Sequence, residues 1–162
     1  MARRKKIGDV YRFDFDEKYH CYCQILNGND VCFFDFYSDN ENDNIDIVLN
    51  SNELFRIFCD RDCFKSEKWK YIVNRNLLDN KKVSKYKYHQ AIGDNYYTLY
   101  KDGVFIKTNR ENCFGLEFFT LWTELGIIHR LNFSFFNKDI PEPMKKKLPF
   151  YDMLPVGVCS FE

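Results

Sequence analysis

From Val10 to Phe15 the chain alternates strictly: Tyr11, Phe13 and Phe15 fall on one side, Arg12 and Asp14 on the other. A period of two is the mark of a strand with one buried face. The alternation returns in His20 to Leu26 and again in Val31 to Tyr37. Between them, Asn27-Gly28-Asn29-Asp30 supplies residues that tolerate positive φ, so the two runs form a hairpin. Three consecutive antiparallel strands are therefore laid down before residue 40, and the rest of the fold has to be compatible with them.

Composition agrees with this start. Aromatic residues make up 19% of the 162, with 17 Phe and 11 Tyr, and such side chains favour pleated, half-buried surfaces. Seven Gly and four Pro leave little material for disordered linkers. The length suits one domain, 1–162, with a core over about residues 5–140 and a C-terminal tail over 141–162.

Further along, Leu54 to Cys59 reads as a fourth strand, with Phe55, Ile57 and Cys59 on one face. Asp60 to Glu67 reads as a polar turn or a single helical turn, and Trp69 to Val73 as a fifth strand. Tyr96 to Tyr100 and Val104 to Lys107 flank Lys101-Asp102-Gly103, a second hairpin signal, so the sheet is expected to continue across both halves. One segment is convincingly helical. Thr123 can cap it, Glu124 sits at the positive end of its dipole, and Leu125, Ile128, Leu131 and Phe135 recur at spacings of three and four. Pro141 and Pro143 stop any continuation, leaving Leu148 to Pro155 as a Pro-flanked apolar tail. The expected class is α+β, mainly antiparallel β, with an SH3-like barrel or curved sheet in the N-terminal half and one C-terminal amphipathic helix packed on the sheet.

Charge restricts the partners. Lys plus Arg and Asp plus Glu number 24 each, so no global field draws the chain to nucleic acid or to an anionic membrane. Charge is local: Arg3-Arg4-Lys5-Lys6 and Lys145-Lys146-Lys147 are basic, whereas Asp39, Glu41, Asp43 and Asp46 gather acid. Solvated tails and loops are the plain reading of such runs. The basic start lacks the unbroken apolar stretch of a signal peptide, since Gly8, Asp9, Arg12 and Asp14 interrupt it, and no apolar run is long enough to span a bilayer. A cytoplasmic location is expected.

Catalytic patterns are sparse. The seven cysteines, Cys21, Cys23, Cys32, Cys59, Cys63, Cys113 and Cys159, are odd in number and mostly embedded among apolar residues, so free thiols acting as small hydrophobes are expected. Cys21-x-Cys23 and Cys59-x-x-x-Cys63 do not have zinc-knuckle spacing. His20, His89 and His129 are the only imidazoles; catalytic use would need one of them beside a nucleophile or an orienting carboxylate, and no Cys is placed at the start of a helix, where its thiolate would be stabilised. The glycines stand alone, which gives a nucleotide phosphate no backbone cradle. Asp39, Glu41 and Asp43 alternate like the first ligands of a calcium loop, but Asn44 occupies the place of the required Gly and Asn50 that of the Glu. No cofactor and no metal are expected.

A set of short motifs carries a resemblance. Lys6-Ile7-Gly8-Asp9-Val10-Tyr11, Cys21-Tyr22-Cys23-Gln24-Ile25-Leu26, Phe33-Phe34-Asp35, Leu54-Phe55-Arg56-Ile57 and Trp69-Lys70-Tyr71-Ile72 follow one another in order. Gly115-Leu116-Glu117, Leu121-Trp122 and Arg130-Leu131 come after them. Together, over roughly residues 5 to 135, they resemble the bacterial immunity protein 26 family. Cys21 and Cys23 depart from the pattern, which more usually has small residues such as Gly there, and the tail after Pro141 is not covered by it. The resemblance implies an immunity protein of a polymorphic toxin system: a cytoplasmic antidote that binds and neutralises a cognate toxin domain and needs no catalytic group. It transfers no binding site, because its shared residues are mostly scaffold: Gly8 for backbone geometry, Trp69 and Trp122 for packing.

For the interface, Asp39, Glu41, Asp43 and Asp46, with Tyr37 beside them, are the candidates, since acids on a loop would suit the basic cleft of a nuclease toxin. Two other classes compete with this reading. One is a small β-barrel nucleic-acid-binding module that stacks bases on Tyr and Phe, disfavoured by the neutral charge. The other is a Cys/His hydrolase, which one unusually reactive thiol would reveal.

Overall fold

A computed structural model describes residues 4–149. These divide into two compact units, the first made of 4–82 and 121–139, the second of 83–120 and 140–149.

The first unit is built on a six-stranded sheet. Its strands are β1 (Asp9–Asp14), β2 (His20–Asn27), β3 (Asp30–Ser38), β4 (Glu53–Cys59), β5 (Trp69–Asn74) and a short late strand, Leu121–Trp122. The spatial order runs from Leu121–Trp122 through β4, β3, β2 and β1 to β5, and all pairs are antiparallel except that of β4 with the late strand. The hairpin at Gly28 forms as expected, with Asn27 opposite Asp30. Of the two shapes expected for this half, the barrel is not what forms: β5 and Leu121–Trp122 are separate edges of an open sheet. The physical reason lies in the covering of both faces, which buries the sheet without any need for closure.

One face carries Tyr11, Phe13, Cys21, Cys23, Phe33 and Trp69. The Trp69 ring stacks on Phe13 at 4.2 Å, and its indole N–H donates to Glu124 at 3.0 Å. Glu124 opens the long helix Glu124–Phe136, which is capped by Thr123 and closed by Asn137 in the left-handed conformation (φ 53°). The helix forms where the periodicity places it, but its inward stripe is shifted. Ile127, Arg130 and Leu131 are the buried residues, whereas Leu125 points outward. Arg130 displaces an apolar side chain from the stripe because its guanidinium lies over the rings of Phe55 (4.1 Å) and Trp122 (5.1 Å).

On the other face Val10, Tyr22, Phe34 and Val48 form a core cluster. Val48 belongs to α1 (Ile45–Asn50), which forms inside the segment expected to be a loop, with the Asn44 side chain accepting from the Asp46 N–H at its start. A second short helix, α2 (Asp79–Lys82), falls in the polar segment after β5. It turns Lys81 inward, where the ammonium donates to the Leu49 carbonyl at 3.3 Å and lies over the Phe34 ring. With both faces covered, β2 and the first half of β3, Val31 to Phe34, are buried without alternation, whereas Asp35 to Ser38 alternate between exposed and half-buried.

The second unit has its own four-stranded sheet, so the expectation of one sheet running through both halves does not hold. Its strands are β6 (Lys87–His89), β7 (Tyr97–Lys101), β8 (Val104–Thr108) and β9 (Glu117–Phe118), in the order β8-β7-β6-β9. In chain order Leu121–Trp122 is thus β10, Glu124–Phe136 is α3, and a short α4 (Glu142–Lys145) follows. β6 and β9 were invisible to periodicity because they span only three and two residues. The apolar tail read at Leu148 to Pro155, like Cys159, falls outside the described residues from position 150 onward.

Candidate partner-binding surface

The acidic segment is strapped to the sheet rather than free. On β1, Arg12 projects from the same face as Asp14, and across the ladder it sits opposite Tyr22 while Asp14 sits opposite His20. Arg12 reaches both Asp14 (Nε to Oδ1, 2.8 Å) and Glu41 (3.1 and 3.4 Å, a forked contact), and Lys70 of β5 completes the chain at Asp14 (2.6 Å). Burial opposes the charges of Arg12 and Asp14, and these mutual hydrogen bonds outweigh it. The guanidinium is therefore held further up and the carboxyl below its usual range.

Asp43 is the inner fastening. Its side chain is 6% exposed, with Oδ2 2.6 Å from His20 Nε2 and accepting from the Tyr22 hydroxyl at 3.0 Å. Partial burial works against its ionisation, and the hydrogen bonds from His20, Ser38 and Tyr22 overcome this to leave its pKa below the ordinary value. Tyr22 moves the opposite way, pushed up by burial and then by the neighbouring carboxylate. Asp39 and Asp46 stay outside. Asp39 meets Lys18 at 3.4 Å, and Asp46 sits in the first turn of α1, where a negative side chain is favoured.

Beside the strap lies a cluster of four rings: Tyr19 from the β1–β2 turn, Tyr37 near the end of β3, and Phe135 and Phe136 at the C-terminal end of α3. Tyr37 is 4.8 Å from Phe135, 5.1 Å from Phe136 and 5.5 Å from Tyr19, centroid to centroid. Phe15 supports the cluster from beneath, fully buried against both phenylalanines. Tyr37 is 43% exposed, and the other three rings are partly buried. Charged residues edge the platform: Lys138 pairs with Asp16 and lies over Phe136, while Lys18 pairs with Asp39 and lies over Tyr19.

Of the five residues singled out from the sequence, Tyr37 lies in this platform and Asp39 on its rim. Glu41 continues the acidic edge through Arg12, Asp46 stands apart on α1, and Asp43 faces inward. The sequence reading missed Tyr19 and Phe136, which join the site only when the turn and the end of α3 come together. It assigned Phe135 to the covered stripe. The signal that could have found Phe136 is the aromatic pair Phe135-Phe136 at the helix end, since adjacent helix positions point about 100° apart and only one of them fits a narrow inward stripe.

The other candidate groups stay apart. The six described cysteines are free and buried, and burial raises the thiols of Cys21, Cys23 and Cys59 well above the usual range, with Cys32 pushed up to about 12 and Cys63 to about 11. His20 is packed in the sheet as described, and His89 is stacked on Phe118. Among the described residues no three His, Cys, Asp or Glu side chains come together as a metal site would require. No described helix is long and apolar enough to cross a membrane.

Gly8 and Trp69, both from the motifs, are framework. Gly8 takes φ 86° where a Cβ would run into the carbonyl oxygen of Arg75, and its own N–H and C=O bridge to Ile25 and Arg75. Fold and surface together define an α+β scaffold that presents an aromatic platform beside a braced acidic edge. The chain belongs to the immunity protein 26 family, whose model matches residues 6–98, from the strand entry at Lys6 into β7. The late motifs at Gly115-Leu116-Glu117, Leu121-Trp122 and Arg130-Leu131 lie beyond the matched span. No curated protein and no solved structure gives a match.

Proposed function

We propose that the protein is an antidote that binds and neutralises one cognate toxin domain, by contact alone and without chemistry of its own, in the cytoplasm of the cell it protects. Family membership supports the immunity role, and the observation that carries the binding reading is the four-ring platform. Tyr and Phe anchors that are partly exposed, mutually packed and edged by ion pairs have the composition of an interface centre and rim. The rings lose little entropy on binding because Phe15 and α3 already hold them in place. At the rim, Asp16 and Asp39 are paired with Lys138 and Lys18, and Asp39 with the 80% exposed Glu41 offers acid to a toxin face presenting an apolar knob within basic residues, as the cleft of a nuclease would. Asp43 contributes by fixing the strap, and Asp46 extends the acidic edge onto α1.

The test is co-expression with a candidate toxin domain taken from a gene adjacent to this one, followed by growth and pull-down. Rescue with a tight complex is expected, and Tyr37→Ala with Phe136→Ala should abolish both while the circular dichroism of the antidote is unchanged. Persistent toxicity with no complex would remove the assignment to that toxin. A complex indifferent to the double substitution would move the interface elsewhere.

A further inference from the structure

We infer that β8 is a self-association edge, through which two copies of this chain pair their four-stranded sheets antiparallel about a twofold axis at Phe105. Among the described residues β8 ends its sheet, and Val104, Phe105 and Ile106 are 58%, 53% and 48% exposed. The strand itself carries none of the usual protections of an edge: it has no proline, no bulge in its pairing with β7, and no charge before Lys107. Even Lys107 is drawn aside, its ammonium 4.0 Å from the Tyr96 ring.

The hairpin geometry sets the phase of the free edge. Asp102 (φ 51°) and Gly103 (φ 84°) are both left-handed, the signature of a two-residue type I′ turn closed by Lys101 opposite Val104. The closing pair bonds inward, as does Leu99 with Ile106, so Phe105 and Lys107 turn their N–H and C=O groups away from β7. A second copy brought in antiparallel with Phe105 facing Phe105 satisfies these groups with about six main-chain hydrogen bonds. In that register Val104 lies opposite Ile106 at the close, non-hydrogen-bonded positions, and Lys107 lies opposite Gly103. Apolar residues meet apolar residues, and no like charges are opposed. Phe105 already packs on Tyr100 (4.9 Å) and Phe119 (5.5 Å), so the pairing joins two aromatic bands into one. A strand that fits itself this well commits the edge to a second copy. One strand pair is a small interface, so the dimer is expected to dissociate on dilution rather than to be permanent. The inference does not rest on the toxin-binding reading, because β8 lies outside both the platform and the family match.

Sedimentation velocity of the full chain over a dilution series should show a weight-average mass climbing toward twice the monomer. Phe105→Lys and Phe105→Glu should each remain monomeric, since each places like charges across the axis, and an equimolar mixture of the two should restore the dimer. Hydrogen exchange at the amides of Phe105 and Lys107 should slow as wild-type concentration rises, a readout that holds even if the variants fold poorly. A monomer at every concentration, a dimer untouched by Phe105→Lys, or a mixture that stays monomeric would overturn the inference. So would amides protected only when the toxin domain is added, which would give the edge to a toxin strand instead.

Discussion

Replacing Asp43 by Ala should destabilise the protein far more than removing any other acid of the same segment. The carboxylate is nearly buried and serves two groups, His20 Nε2 at 2.6 Å and the Tyr22 hydroxyl at 3.0 Å, which are themselves buried. Truncation leaves both without their acceptor. At about 1–3 kcal/mol for each orphaned buried polar group, and allowing the two to approach each other from their present 3.4 Å, the loss is about 2–4 kcal/mol. For a chain of this length that lowers Tm by roughly 4–16 °C. The effect should depend on pH in a defined direction. Because the folded carboxyl titrates below its usual 3.8, its contribution is complete above that value and is lost as pH falls through the lower folded value. Thermal melts of wild type and Asp43→Ala should therefore differ fully from pH 5 upward and converge in more acidic buffer. Adding Tyr22→Phe to Asp43→Ala should recover part of the loss, since one orphan is removed along with its acceptor. A melting temperature unchanged by Asp43→Ala, or a gap that widens on acidification, would refute the brace.

Glu41→Ala should leave the melting temperature of the free protein unchanged, because its carboxylate is solvated, and Asp39→Lys with Glu41→Lys should slow association with the toxin while the fold persists, read by stopped-flow at low and high salt. Gly8→Ala should cost about 2–3 kcal/mol in urea denaturation, because it adds a Cβ against the Arg75 carbonyl at a positive φ. In a Cys159→Ser background, the six remaining thiols should resist a thiol reagent at pH 8 in the native state and react once the chain is unfolded in urea. A single fast native thiol would reopen the hydrolase reading.

Much of the first unit was legible because its signals are local. Alternation through Tyr11, Phe13 and Phe15, the turn at Gly28 and the cap at Thr123 each act within a few residues, and each forms where it was expected. What escaped depends on partners distant in sequence. Arg56 and Lys81 look like surface charges and are buried, one paired with Glu53 at 3.0 Å and the other reaching the Leu49 carbonyl. β10 is two residues long and exists only because β4 offers it an edge. The candidate site was half visible for the same reason. Tyr37 and Asp39 lie two residues apart in the chain, but Phe136 arrives about a hundred residues later, and nothing in the spacing of the acids shows that Asp43 turns inward.

The first unit is interrupted: residues 83–120 lie between α2 and β10 in the chain, so α3 is synthesised last of all its parts. During translation, β1 to β5 are complete while Phe13, Phe15 and Trp69 still have no helix to cover them. A nascent chain paused before residue 124 carries that uncovered face, a natural ligand for ribosome-associated chaperones. The first unit thus closes only after residues 83–120 have been made, and Tyr19 and Tyr37 gain their two phenylalanines only with the final turn of α3.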